Sequence, residues 1–213
     1  MRLVATFNFG DLWYADYTVP FMRRYAERIG ADFLELKRFP DQQLYGLVHA
    51  WFHVEAIRIL AAQSYYKTML LLDADQVVMP GCPDVFALSG GKIAVVQDMG
   101  IPEVNDRFRD WCRSHYDEEP LPGPYFNAGM LVVPLEAARR LTSRLGGPCP
   151  SGLLADQHFL NLRIRKHEEI VWLPHELNWL APQFVEASLR KHVHFVTGHR
   201  DLLASFVKRI SVP

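Results

Sequence analysis

The sequence predicts a single α/β domain spanning residues 1–213, with a mostly parallel central sheet and helices on both faces. Three observations carry that prediction. Short apolar runs that stop at polar residues recur along the chain, and segments with helical spacing lie between them. A chain of 213 residues, 49% apolar and 22% charged, is also long enough for one well-buried core and has no long polar tract.

The run RLVATF at 2–7 reads as a buried first strand that ends at Asn8 and Gly10. Thr18 is placed to cap a helix with Pro20 in its first turn, Met22, Ala26 and Ile29 at helical spacing, and Gly30 closing it. DFLEL at 32–36 is a second strand. The segment 47–62 lacks Gly and Pro and places Trp51, Phe52, Ala56 and Ile59 at helical spacing, which predicts a long helix on the sheet. TMLLLDADQVVMP at 68–80 is an apolar strand whose carboxylates begin where burial should stop, and KIAVVQD at 92–98 and MLVVP at 130–134 repeat the pattern. Leu135, Ala138, Leu141 and Leu145 mark another amphipathic helix, followed by the turn-rich GGPCPSG at 146–152. EIVWLP and HVHFVTG are two late strands, and a last helix turns Leu202, Leu203, Phe206, Val207 and Ile210 inward.

Charge and cysteine content exclude several roles. A formal net charge of −1 leaves no surplus of Lys and Arg for nucleic acid or an acidic membrane. Cys82, Cys112 and Cys149 form no CxxC pair and suit a reducing compartment. The N-terminus runs directly into a strand, so a cytoplasmic protein without a transmembrane segment is expected.

The chemistry centres on Asp73, Ala74 and Asp75. A D-x-D triplet arises about once by chance in a chain of this aspartate content, so its setting matters more than its presence. Here apolar residues flank it on both sides, which puts two carboxylates at the edge of the core, where charge is costly unless a cation or donor meets it. Strand alternation would point both to one side. Such a pair suits a hard divalent cation, Mn²⁺ or Mg²⁺, completed by water and phosphate oxygens, and so implies a diphosphate ligand. A solvated turn is the structural alternative. LLLDADQVV also resembles the first motif of haloacid dehalogenase-like phosphatases, with Asp73 as nucleophile; the triplet's place a third of the way along the chain argues against that. The later acidic cluster, Asp117 to Glu119, lies in a Pro-flanked loop.

Six blocks, in order, resemble family 8 glycosyltransferases, the glycogenin-like group with the GT-A fold, over most of the chain. ATFN at 5–8 is similar to the family's nucleotide-binding strand, which makes Thr6, Phe7, Asn8 and Asp73 candidate nucleotide contacts. YKTMLLLDADQVV with PDVFAL at 83–88 resembles the metal strand and its following turn. AVVQDMG at 94–100 and YFNAGMLVV at 125–133 resemble the donor-sugar segments. ADQHFLN at 155–161 resembles the family's DQ motif, and WLPHELNW at 172–179 its LP and N-W segment. HFVTGHR at 194–200 corresponds to the terminal metal and phosphate motif, with Gly198 one position late, Arg200 in place of Lys, and no Pro-Trp after it.

The resemblance implies metal-dependent transfer of a sugar, UDP-linked, to an acceptor hydroxyl on a glycan or glycoconjugate, with retention of configuration. Asp75 and His194 would bind the metal, with His192 as the alternative histidine, while Asp73 would contact ribose, sugar or metal. Arg200 and Gly198 would face the diphosphate. Arg58 matches a basic residue that the family points at the donor; a Glu55–Arg58 helical pair is the other reading. Asn127 and Gln157 suit sugar hydroxyls, and Asp98 and Asp156 are the candidate catalytic carboxylates, either serving as base if the reaction inverts. Asn127 with Gly129 also fits a turn, and Asp156 a helix cap. Trp13, Tyr14, Trp51 and Trp179 are stacking candidates, with core packing as their alternative. A binding module without catalysis is the third functional class.

Overall fold

A computed structural model describes residues 1–8, 12–37, 51–99, 104–145, 150, 154–180, 192–194 and 203–210, with backbone alone at 179, 180, 192–194, 209 and 210. Six strands form the main sheet: β1 (Arg2–Phe7), β2 (Asp32–Leu36), β3 (Thr68–Leu72), β5 (Ile93–Gln97), β6 (Phe126–Pro134) and β7 (Ile170–Leu173), in the order β2-β1-β3-β6-β5-β7. A second sheet joins β4 (Gln76–Val78), β9 (His192–His194) and β8 (Trp179–Leu180), in the order β4-β9-β8. The fold is α/β as the sequence predicts, and the main sheet is parallel except at one strand; in the second sheet β4 runs antiparallel to β9. Strand β6 runs antiparallel to both of its neighbours, β3 and β5, so its beginning lies beside their ends.

Alternation along the strands divides the core. Leu3, Ala5, Met69, Leu71, Ile93 and Val95 face one side, under α2 (Phe52–Ala62), α4 (Val104–Tyr116), α5 (Leu135–Thr142) and α6 (Ala155–His167). Val4, Leu70, Leu72, Ala94 and Val96 face the other, under α1 (Ala15–Arg28) and α3 (Val85–Ser89). In β6 the alternation changes phase. Phe126 and Ala128 share a face with Leu131 and Val133, because the pairing with β5 slips between Val95 and Val96. This bulge sits where β6 passes the ends of β3 and β5.

Local chemistry explains several element ends. Asp84 caps α3, accepting from Phe86 N–H at 3.0 Å and Ala87 N–H at 3.4 Å, and Gly90 closes the helix at φ 58°. Helix α1 begins a turn earlier than the sequence suggests, at Ala15, so Thr18 lies inside it and is not its cap. The hydroxyl of Thr18 instead donates to the carbonyl of Ala74, tying α1 to the Asp73–Asp75 segment. Helix α7 (Leu203–Ile210) buries Leu203, Phe206 and Val207 against Tyr14, Phe21, Ala74 and Val77; Leu202 lies outside the described residues.

Candidate active site

Pairing of Thr6 with Leu72, Leu72 with Met130, and Gln97 with Phe126 brings Asn8, Asp73, Asp98 and Asn127 to one edge of the sheet. This is the carboxyl end of the parallel strands, where open α/β sheets bind ligands.

Strand β3 ends at Leu72, and the next residues form a turn: Asp73 N–H donates to the Gly129 carbonyl at 2.9 Å, and Gln76 N–H to the Asp73 carbonyl at 3.2 Å. Strand alternation therefore does not govern Asp73 and Asp75, and their surroundings differ. The Asp73 side chain is 34% exposed, whereas Asp75 is only 3% exposed. One carboxylate is held within the protein and the other reaches solvent.

His53, on the buried face of α2, stands between two acids. Its Nε2 lies 3.2 Å from Asp73 Oδ1 and its Nδ1 3.0 Å from Asp156 Oδ2. The ring of Phe7 meets the imidazole at 5.5 Å in a T-shaped contact. Burial is the largest single influence on His53 and pushes its pKa down, but the hydrogen bond with Asp156 and the close carboxylate of Asp73, an ion pair without hydrogen-bond alignment, together outweigh it and raise the pKa to about 10. The sequence reading does not single out His53; a titratable residue on a face otherwise made of Val54, Ile57 and Leu60 is the signal that could have found it. Arg58, by contrast, donates to the Leu145 carbonyl after α5 and sits 3.6 Å from Glu55, the helical pair of the alternative reading.

Asp156 is not the cap of α6. Leu154 occupies that position at φ 62°, and Asp156 follows inside the first turn, one oxygen accepting from Gln157 N–H at 2.7 Å and the other facing His53. From Gln157 a chain of side-chain amides crosses the site. Gln157 Nε2 donates to Asp98 Oδ2 at 3.2 Å, and Asn127 Nδ2 to the same oxygen at 3.3 Å. Asn127 Oδ1 accepts from Asn178 Nδ2 at 3.0 Å, and Asn178 Oδ1 from Gln76 Nε2 at 3.2 Å. Gln157 Oε1 also accepts from Ala128 N–H at 2.8 Å, so a helix side chain satisfies a backbone donor inside the β6 bulge. Asn127 Oδ1 likewise accepts from Gly129 N–H at 3.0 Å, which makes the expected turn real alongside the network. Asn178 and Gln76 complete a network that begins with residues read from the sequence.

The remaining candidates divide by position. Thr6 and Phe7 are buried at the end of β1, and Asn8 bonds Glu35 Oε1 at 2.7 Å and Leu12 N–H at 2.9 Å. Backbone register sets His194 opposite Gln76 and His192 opposite Val78, beside the turn that carries the two acids. Gly198 and Arg200 lie outside the described residues. Trp51 and Tyr14 are core residues, while Trp13 is exposed.

Among the described residues no three acidic, His or Cys side chains form a closed metal site. The donor set that is present, two carboxylates from one turn, suits an open site for a hard cation that takes its other ligands from solvent and substrate. The phosphatase reading needs a later acidic pair, but Glu118 is ion-paired with Arg163 and Lys166, each at 2.8 Å, and Glu119 with Arg113 at 2.5 Å.

No family model and no curated protein matches the sequence. Solved structures do share the fold. A glycosyltransferase involved in glycosylation of the major capsid of PBCV-1 is 16% identical, with a TM-score of 0.66 over 98% of each chain. The galactosyltransferase LgtC, solved with donor and acceptor sugar analogs, is 13% identical, with a TM-score of 0.59 over 99% of this chain and 94% of its own. Mouse xyloside xylosyltransferase 1 is 15% identical, with a TM-score of 0.60 over 93% of this chain and 99% of its own. The architecture is thus GT-A-like, shared across a wide distance in sequence.

Proposed function

We propose that this chain is a glycosyltransferase that moves a sugar from a nucleotide diphosphate sugar, UDP-linked, to an acceptor hydroxyl on a glycan or glycoconjugate. The observation that carries the reading is the gathering of Asp73, Asp75, Asp98, Asn127 and Asp156 at one sheet edge of a fold shared with glycosyltransferases. The order of the sequence blocks supports the same reading.

In it, Asp73 and Asp75, with His194 from the neighbouring strand, hold Mn²⁺ or Mg²⁺. That cation, when bound, neutralises the diphosphate and favours its departure. Thr6, Phe7 and Asn8 line the nucleotide side with Asp73, and Gly198 and Arg200 meet the phosphates. Asp98, oriented by the amides of Asn127 and Gln157, and Asp156 receive the donor sugar's hydroxyls. Arg58 is the basic residue of α2 read for the donor side, with its guanidinium also on the Leu145 carbonyl. Asp98 Oδ2 accepts from the amides of Asn127 and Gln157 at once, so that oxygen is committed to the network. The sequence resemblance favours retention, in which a leaving phosphate oxygen takes the acceptor proton, over inversion through Asp98 or Asp156.

No helix among the described residues is long and apolar enough to cross a membrane. The cysteine pattern, with no CxxC pair in the sequence, supports the cytoplasm as the working compartment.

The test is UDP release from a panel of UDP-sugars, with and without a panel of sugar acceptors, in Mn²⁺ and in EDTA. Acceptor-stimulated release that EDTA abolishes is expected. A phosphorylated aspartate formed from a phosphate ester would point to the phosphatase instead, and tight binding without turnover to a binding module.

A further inference from the structure

We propose that His53 is a positioning residue of this site: one ring nitrogen holds Asp73 and the other holds Asp156, which sets the spacing between the nucleotide-facing and sugar-facing carboxylates. The inference rests on the transferase reading above and adds a residue to which that reading gives no role.

The two acids come from unrelated parts of the fold. Asp73 lies in the turn that leaves β3, and Asp156 lies in the first turn of α6, 103 residues after His53. An imidazole suits the task of joining them because its two nitrogens sit on opposite edges of one rigid plane. Two side-chain torsions therefore place both contacts at once. The ring is itself fixed, 7% exposed, against the edge-to-face ring of Phe7, on a helix whose Val54, Ile57 and Leu60 are buried in the core. The 3.0 Å contact with Asp156 is a hydrogen bond and the 3.2 Å contact with Asp73 an ion pair, so one ring faces both acids directly. Spacing of this kind matters in group transfer, where about 1 Å of misplacement can lose roughly a hundredfold in rate.

Single substitutions separate the two contacts. His53→Asn puts an amide nitrogen near the place of Nδ1, keeping Asp156 and releasing Asp73; His53→Gln puts one near the place of Nε2, keeping Asp73 and releasing Asp156. His53→Ala releases both. Each variant is read by thermal melting, by titration calorimetry with UDP in Mn²⁺, and by UDP release from whichever of UDP-glucose, UDP-galactose or UDP-N-acetylglucosamine the unmodified protein turns over. The expected result is a split. Gln binds UDP within about threefold of the unmodified protein but loses about a hundredfold in kcat. Asn loses about tenfold in UDP affinity and keeps kcat within about tenfold. Ala shows both losses. A folded Asn and Gln pair that behave alike, whether both normal or both equally impaired in binding and kcat, would overturn the positioning role while leaving the transferase intact. An unmodified protein that neither binds UDP nor releases it would remove the transferase reading, and the role of His53 with it.

Discussion

Asp75 carries the sharpest consequence of burial at a single residue. At 3% exposure its carboxylate is kept inside the protein at the edge of the site, so Asp75→Asn removes a charge while conserving volume. We expect that variant to melt normally by circular dichroism and to lose UDP binding in Mn²⁺ by calorimetry, together with transfer. Asp156→Asn is expected to behave differently. The amide oxygen can still accept from His53 at the loss of the bond from Gln157 N–H, and Leu154 remains the helix cap, so the fold should hold with about 1 kcal/mol less stability and UDP affinity within a few-fold, while transfer falls about a hundredfold. Near-normal transfer would return Asp156 to a structural role. These acids were legible in the sequence because each interrupts an apolar pattern at an element end. His53 was not, since its partners are 20 and 103 residues away, and no local spacing encodes such a meeting.

At the scale of elements, α4 ends in a way that the sequence disguised. Asp117 adopts φ 51° and its N–H bonds the Arg113 carbonyl at 3.2 Å, the left-handed closure that glycine usually provides. Asp117 is exposed, so Asp117→Gly relieves the left-handed backbone without loss of packing. A gain of about 0.5–1 kcal/mol and a rise of about 2–4 °C in Tm are expected, with unchanged transfer. A lower Tm in differential scanning calorimetry would show that Asp117 is held by something other than its turn. Acidic letters beside two prolines read as a loop, and the helix closure within them left no trace in composition. Strands β1, β3 and β5 were legible because their apolar runs are continuous. The direction of β6 was not, because a strand buried on both faces reads the same either way.

Across the whole molecule, acid stability depends on a buried histidine that follows Gln157 in α6. His158 is buried beside Tyr125, whose hydroxyl lies 2.6 Å from its Nδ1, and beside Phe108 and Trp111; burial first, then the nearby His115, lowers its pKa to about 4. The folded state therefore prefers the neutral ring. Its contribution is complete above the ordinary value near 6.5, and it is lost as pH falls from there towards 4, with a slope of up to about 1.4 kcal/mol per pH unit. Urea melts between pH 7 and 4 should show this slope and, in His158→Gln, a shallower one; equal slopes would exclude the histidine. The path from Asp98 to Tyr125 has a wider meaning. It leaves the sheet beside the site, carries α4, and returns to the same place, its base closed by Asp98 N–H on the Tyr125 carbonyl at 2.8 Å. Both roots of this excursion are thus moored to the strands, with Asp98 at one and Asn127 just past the other. A change on the outer face of α4 therefore reaches the sheet only through these two roots and through the side chains that α4 buries in the core.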